Sequence, residues 1–268
     1  MINAVLKWGG MLLGVYAFLI ALMYVLQAQM LFRPDTNDYS QAQVGITGFT
    51  DVSVTTSDNL KLKGWYAAAQ VGKPTILFFQ GNASSYQWRA PDFMALVKKG
   101  YGVLLAGYRG YGGNKGTPSE EGLYRDAEAY LEFLKAQNIP ENQIVLYGES
   151  LGTGVAIELA YRHRNIMALL LEAPYASIAA TAAQIYPFVP FMEKLVTNRF
   201  DSIYKIGALT MPKFFMLAGE DRIIPNKDSL FLYQNAPQPK AIKVYKRAGH
   251  NDMRSMGAMD DAATFLAH

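Results

Sequence analysis

The chain has no cysteine among its 268 residues and only three histidines, His163, His250 and His268. The first absence removes disulfides, iron–sulfur clusters, thiolate zinc sites and cysteine nucleophiles together. The second leaves too few imidazoles for a histidine-rich metal centre, so neither metal nor cofactor is expected. Neither absence fixes the compartment, because a chain without thiols can live in either redox environment. Charge is scarce as well: 18% of residues are charged, against roughly 25% in an average soluble domain. The 25 lysines and arginines are scattered among 22 acids for a net charge of +3. With no basic run, nothing argues for nucleic acid as a partner. A hydrophobic content of 51% excludes disorder and collagen, and no internal repeat or low-complexity tract is present.

Much of the skew lies at the front. From Trp8 to Phe32 no residue is charged, and Lys7 and Arg33 bracket the run. Such a stretch exceeds the ~20 residues that cross a bilayer as a helix. A secretory signal has a shorter apolar core of roughly 7–15 residues and a small-x-small cleavage site. The nearest candidate site, Leu26-Gln27-Ala28, has Leu where a small residue is needed. A buried core helix is rarely apolar on every face. Residues 1–33 are therefore expected to be a single transmembrane anchor with the lipid bilayer as partner, and Trp8 is placed for interfacial anchoring. Lys7 and Arg33 nearly balance the positive-inside count. A short amino-terminal tail is more easily left in the cytoplasm than a large domain, so the domain is expected outside it.

Residues 34–48 read as a polar linker, and 49–268 as one α/β domain. Alternation at Val52 and Val54, then at Leu60, Leu62 and Trp65, across Ser57-Asp58-Asn59, predicts a β-hairpin. The period then changes. The runs 75–79, 103–106, 144–147, 168–171 and 214–217 are apolar almost without interruption, as strands covered on both faces require, and 242–245, broken by Lys243, is a sixth candidate. Between them lie helical patterns. Thr117-Pro118-Ser119-Glu120 predicts a helix start with Thr117 as the N-cap, and Leu123, Ala127, Tyr130, Leu131 and Leu134 continue it. Leu151, Val155, Leu159 and Ala160 form another. This alternation predicts a doubly wound, mostly parallel sheet. Residues 175–207 break the rhythm with Pro187, Pro190 and a cluster of aromatics, and are expected to be a small cap insertion.

Gly148-Glu149-Ser150-Leu151-Gly152 stands between an apolar run and a helical pattern, the setting of a nucleophile elbow. Its glycines allow a tight turn that projects the Ser150 hydroxyl beyond the sheet, beside a helix N-terminus that favours negative charge. A serine hydroxyl needs a base. His163 lies among Arg162 and Arg164 on what reads as a solvated face, and His268 ends the chain. His250, in a loop after the last apolar run, fits. With this elbow the acid follows the serine and precedes the histidine. Asp221 meets that requirement, and Glu220, Glu172 and Asp201 are the alternatives. Oxyanion donors are expected from the backbone N–H of Leu151 and of Asn82, with Ala83 the second choice for the latter. No phosphate-binding loop or dinucleotide fingerprint exists.

With these residues the chain resembles the α/β-hydrolases, and among them the membrane-anchored branch that includes animal protein depalmitoylases and fungal polarity-linked relatives. The resemblance is carried by Gly81-Asn82-Ala83, Tyr108-Arg109-Gly110-Tyr111-Gly112, Pro118-Ser119-Glu120-Glu121-Gly122, the elbow, Gly219-Glu220-Asp221 and Gly249-His250-Asn251. It implies an α/β-hydrolase fold and serine hydrolysis of esters or thioesters by Ser150, Asp221 and His250. Two positions depart from the family. Gln80 stands where histidine is usual, which implies a retuned oxyanion loop bonded by the Gln80 amide. Gly107 stands where aspartate commonly precedes the Tyr108-Arg109-Gly110 motif, and Arg109 reads as a structural anchor. The expected substrate is a lipid-like acyl ester or thioester. An amide-cleaving peptidase and a non-catalytic interaction protein on the same fold are the alternatives.

Overall fold

The computed structural model describes residues 2–267. The chain opens with one long helix, α1 (Ile2–Leu31), followed by a short strand β1 (Arg33–Pro34). The hairpin β2 (Thr50–Thr55) and β3 (Lys61–Ala67) comes next, with alternate residues buried. From β4 (Thr75–Phe79) onward, strands and helices alternate: β5 (Ala83–Ser84), α2 (Tyr86–Lys98), β6 (Gly102–Leu105), α3 (Glu120–Ala136), β7 (Ile144–Glu149), α4 (Leu151–Arg162) and β8 (Ala168–Glu172). Three cap helices follow, α5 (Ile178–Ile185), α6 (Met192–Leu195) and α7 (Ile203–Ile206). The chain closes through β9 (Lys213–Ala218), α8 (Asn226–Asn235), β10 (Lys240–Tyr245) and α9 (Ala258–Phe265).

Eight strands form one sheet in the order β10-β9-β8-β7-β4-β6-β3-β2. Only the β2–β3 and β3–β6 pairings are antiparallel, so β3 alone runs against the rest of the sheet. Strands β4, β6, β7, β8 and β9 are buried along their whole length, which is why their sequences are apolar without alternation. One face packs on α3, α4 and α8 through residues such as Leu131, Val155 and Leu232. The other packs on α2 and α9 through Phe93, Leu96 and Met259. The doubly wound sheet expected from the apolar runs is thus the observed one.

Local details differ. The helix expected from Thr117 starts at Glu120, with Ser119 as its N-cap and its Oγ accepting from the Gly122 N–H at 3.1 Å. Pro118 remains outside the helix, its ring set against Gly110. Helices α2, α8 and α9 carried no sequence signal strong enough to predict them. α2 holds Pro91 in its interior, α8 buries Asp228 and Ser229 with a single leucine, and α9 is eight residues long.

The stretch 34–48 is laid along the domain. β1 pairs in parallel with β5, Lys63 Nζ meets Asp38 at 2.6 Å, and Val44 of the stretch itself is buried in the core. Residues 175–207 carry three short helices joined by irregular turns and are held to the domain by Asp228, whose buried carboxylate accepts from the Ala176 N–H at 3.2 Å and the Thr181 hydroxyl at 2.9 Å. Burial raises its pKa.

Candidate active site

The strand order reverses between β4 and β7: the chain winds outward from β4 to β6, then returns to place β7 on the other side of β4. In open α/β sheets the crevice at such a switch point, outside the carboxyl ends of the strands, is where ligands bind. Gln80-Gly81-Asn82 leaves β4 there and Ser150 leaves β7.

Ser150 occupies φ 49°, ψ −117° between strand and helix, a sparsely populated conformation for a residue with a side chain. Two glycines permit it. A Cβ on Gly152 would lie 2.1 Å from the Phe79 carbonyl, and one on Gly148 2.5 Å from that of Gly152. The turn is tied down by Ser150 N–H donating to the Glu172 carbonyl at 2.7 Å and by the Thr153 hydroxyl donating to the Ser150 carbonyl at 2.7 Å.

His250 reaches Ser150 from the loop after β10. Its Nδ1–H donates to Asp221 Oδ2 at 2.7 Å, which fixes the tautomer that leaves Nε2 to accept from Ser150 Oγ, 2.9 Å away. Asp221 follows β9, and its other oxygen accepts the backbone N–H groups of Ile223 and Ile224, both at 2.8 Å. Burial disfavours its charge, but the His250 ring and these two amides outweigh burial and hold the carboxyl below the usual aspartate range. The alternative acids are engaged or remote. Glu172 accepts from the Tyr147 hydroxyl at 2.6 Å, Asp201 accepts from Arg199 at 2.8 Å, and the Glu220 side chain is exposed. A serine, an imidazole and a carboxylate in this chain can pass the hydroxyl proton to Nε2 while the carboxylate stabilises the imidazolium.

Leu151 is the first residue of α4, so its N–H has no partner within the helix. Gly81 lies against Ser150, and the Asn82 N–H donates no hydrogen bond among the described residues. Both groups are therefore open donors beside the hydroxyl. Asn82 is otherwise fixed on all sides: its side chain donates to the Leu31 carbonyl at 2.9 Å, and its carbonyl accepts from Arg33 N–H and from the Tyr111 hydroxyl, each at 2.9 Å. Ala83, the second candidate, lies in β5, whose bonds to β1 run to the Asn82 and Ser84 carbonyls; Ala83 does not line the cavity beside Ser150, whereas Asn82 does. The Gln80 amide was expected to bond this loop and does not. It is 1% exposed and makes no hydrogen bond to protein, so the loop's shape comes from the Asn82 contacts.

Behind the elbow lies an ionic cluster for which the sequence carries no signal. Arg254, four residues past His250, contacts Glu149 Oε2 at 2.8 Å, Glu172 Oε2 at 3.0 Å and Asp92 Oδ2 at 2.8 Å. Arg89 adds a contact to Glu149 Oε1 at 2.6 Å. Burial opposes the charge on Glu149, yet the two guanidinium groups hold its pKa down. Burial raises that of Glu172 despite the same arginine. The cluster joins the histidine loop to the residue preceding the serine. Arg254→Met, which leaves carboxylates buried without their counter-ion, is expected to destabilise the fold by about 3–5 kcal/mol, measured by denaturant unfolding.

The site opens into a cavity of about 210 Å³ floored by Ser150, Leu151 and Asn82. Its walls come from the cap, through residues such as Ile178 and Val189, and from α1, through residues such as Met23 and Leu31; no lining side chain is charged. Other sequence candidates lie elsewhere. Arg109 is buried against Asp126 at 2.8 Å and Asp58 at 2.8 Å, an anchor for its loop. His163 caps the far end of α4 from Ser150 and bonds Glu141 and Glu128 at 2.9 and 2.8 Å, so its face is less solvated than expected. His268 lies outside the described residues. Among the described residues no group of acids and histidines is arranged to hold a metal ion.

Comparison with known proteins agrees with this architecture. Residues 71–207 match the family described as serine aminopeptidase, S33. An uncharacterized protein of Mycobacterium tuberculosis is 36% identical over 87% of this chain and 83% of its own length. The zebrafish lysophosphatidylserine lipase ABHD12 is 31% identical over 68% of this chain and 52% of its own. Fission yeast bem46 is 28% identical over 92% of this chain and 88% of its own. Among solved structures, the Pyrococcus furiosus esterase Pf2001 superposes with a TM-score of 0.70 over 88% of this chain and 95% of its own, at 22% identity. With the family match spanning half of the chain and a relative above 30% identity along most of it, the chain belongs to the α/β-hydrolase family and is a hydrolase of the type related to ABHD-domain proteins.

Proposed function

We propose that the protein is a membrane-anchored serine hydrolase that cleaves acyl ester or thioester bonds. The observation that carries this reading is the hydrogen-bonded chain Ser150–His250–Asp221, at 2.9 and 2.7 Å, opening onto an uncharged cavity. Ser150 Oγ attacks the acyl carbonyl as His250 Nε2 takes its proton. The tetrahedral oxyanion is held by the N–H groups of Leu151 and Asn82. Imidazolium then protonates the leaving group, and water, activated by the same ring, clears the acyl-enzyme.

The lining favours an apolar acyl chain. A peptide's charged amino terminus would find no acidic side chain in the cavity, which weighs against the aminopeptidase activity in the family's description. One relative is named as a lipase for lysophosphatidylserine, and a single-chain acyl ester is the chemistry this cavity suits. Within α1 the stretch Leu6–Leu31 contains an 18-residue window of mean hydropathy 2.1 with none of it buried, long enough with its flanks to cross a membrane. We take it as the anchor, with the catalytic domain outside the cytoplasm.

The test is turnover of p-nitrophenyl esters from acetate to palmitate, alongside aminoacyl p-nitroanilides, by the detergent-solubilised full chain. Ester turnover rising with chain length and negligible anilide cleavage is the expected outcome. Preferential anilide cleavage would make it a peptidase, and no turnover of either would favour a non-catalytic interaction protein.

A further inference from the structure

Helix α1 does more than stand beside the domain. Its residues Ile20, Met23, Tyr24, Gln27, Met30 and Leu31 line the cavity that holds Ser150, and their spacing of three to four residues is one face of a helix. That face is fastened at three levels. The Tyr16 hydroxyl donates to the Phe188 carbonyl. The Gln27 amide donates to the Leu195 carbonyl at 3.2 Å and accepts from Thr197 N–H at 2.8 Å. At the helix end the Leu31 carbonyl, which has no partner within α1, accepts from the Asn82 side chain of the oxyanion loop.

The opposite face carries Leu19, Leu22, Val25 and Leu26, all exposed. About 20 residues of hydrocarbon crossing, counted from Trp8, end at Gln27. The contacts at Tyr16 and Gln27 therefore fall within the span, and they bring cap residues 188–197 to the depth of the adjoining leaflet. Phe188 and Phe191 are exposed there. Three lining residues are also exposed and so form the mouth: Tyr24 at 51%, Ile185 at 47% and Ile223 at 51%. All three are apolar or aromatic, a rim suited to lipid rather than water.

We propose that α1 is one wall of the acyl-binding pocket, that Ile20 and Met23 set which acyl chains are accepted, and that the substrate is a membrane-resident acyl ester or thioester entering sideways between α1 and the cap. From Leu31, tied to the oxyanion loop, back to Ile20 is roughly 16 Å at the helical rise, the run of a long acyl chain laid along the helix. The inference rests on the acyl-hydrolase reading above.

The test uses the full chain in phosphatidylcholine vesicles with p-nitrophenyl butyrate, laurate and palmitate. Met23→Trp and Ile20→Trp fill the far end of the cavity and should lower the palmitate-to-butyrate ratio of kcat/KM at least about tenfold. Met23→Ala, which avoids the risk of overpacking, should raise it. Leu22→Trp, on the lipid-facing side, should leave the ratio where the unmodified chain has it. If the Met23 and Ile20 variants match Leu22→Trp while Ser150-dependent turnover persists, the pocket-wall inference is overturned and the hydrolase reading stands. If the unmodified chain turns over none of the three esters, the hydrolase reading fails and the inference falls with it.

Discussion

Ser150→Ala lowers kcat by about 10⁴–10⁶-fold, the range expected when a serine nucleophile is removed and only the oxyanion donors and binding remain. The loss is this large because no neighbouring group can substitute. The chain has no cysteine, and the other hydroxyl at the turn, Thr153, is buried and donates to the Ser150 carbonyl. The fold should survive, because the turn is held by backbone bonds to Glu172 and Thr153 rather than by the serine hydroxyl. Unchanged thermal unfolding alongside lost turnover is the expected pair of measurements. Turnover retained within about tenfold would assign the chemistry to another residue.

Asp221→Asn lowers kcat by about 10⁴-fold, with a smaller effect on KM. Asp221 accepts from His250 Nδ1 at 2.7 Å. An asparagine amide turned toward that nitrogen donates instead, favours the opposite tautomer and leaves Nε2 carrying the proton it must accept. The same substitution carries a pH signature. In the fold the carboxyl's pKa lies below the ~3.9 of an unfolded aspartate. Its ionised form therefore stabilises the protein above about pH 4, and that stabilisation is lost as pH falls through the lowered folded value. Asparagine has no such dependence. The stability gap between the two proteins, read from thermal unfolding, should close as pH falls below about 4. A gap unchanged through that range would mean that His250 and the Ile223 and Ile224 amides do not stabilise the ionised carboxyl in the fold.

Both residues were legible in the sequence because each sits at a point where local chemistry is demanding. The elbow needs glycine at 148 and 152 for a steric reason that leaves a fixed spacing. The acid follows the apolar strand β9, the histidine follows the mixed strand β10, and both stand in glycine-containing loops. The sheet was legible for a related reason: strands buried on both faces, such as β4 and β7, have no polar side to interrupt them. What could not be read arises from contacts between distant segments. Arg254, Glu149, Glu172 and Asp92 are unremarkable singly and form a cluster only when α2, β7, β8 and the loop before α9 converge. The N-cap is Ser119 rather than Thr117: Ser119 is still extended and caps the Gly122 N–H, while Pro118 stays outside the helix against Gly110. The Gln80 amide was expected to bond its own loop, whereas that loop is shaped by Asn82 reaching the end of α1. Nor does the periodicity of α1 reveal a function: its exposed residues and those lining the cavity are both mostly apolar, so its part in the cavity is visible only once the cap lies against it.

The most direct measurement is rapid-quench mass spectrometry of the protein mixed with p-nitrophenyl laurate. The expected result is a lauroyl adduct on the peptide containing Ser150, formed in a burst of one equivalent per chain and absent from Ser150→Ala. Continued p-nitrophenol release with no adduct, or an adduct on another residue, would contradict the assignment of Ser150 as the nucleophile.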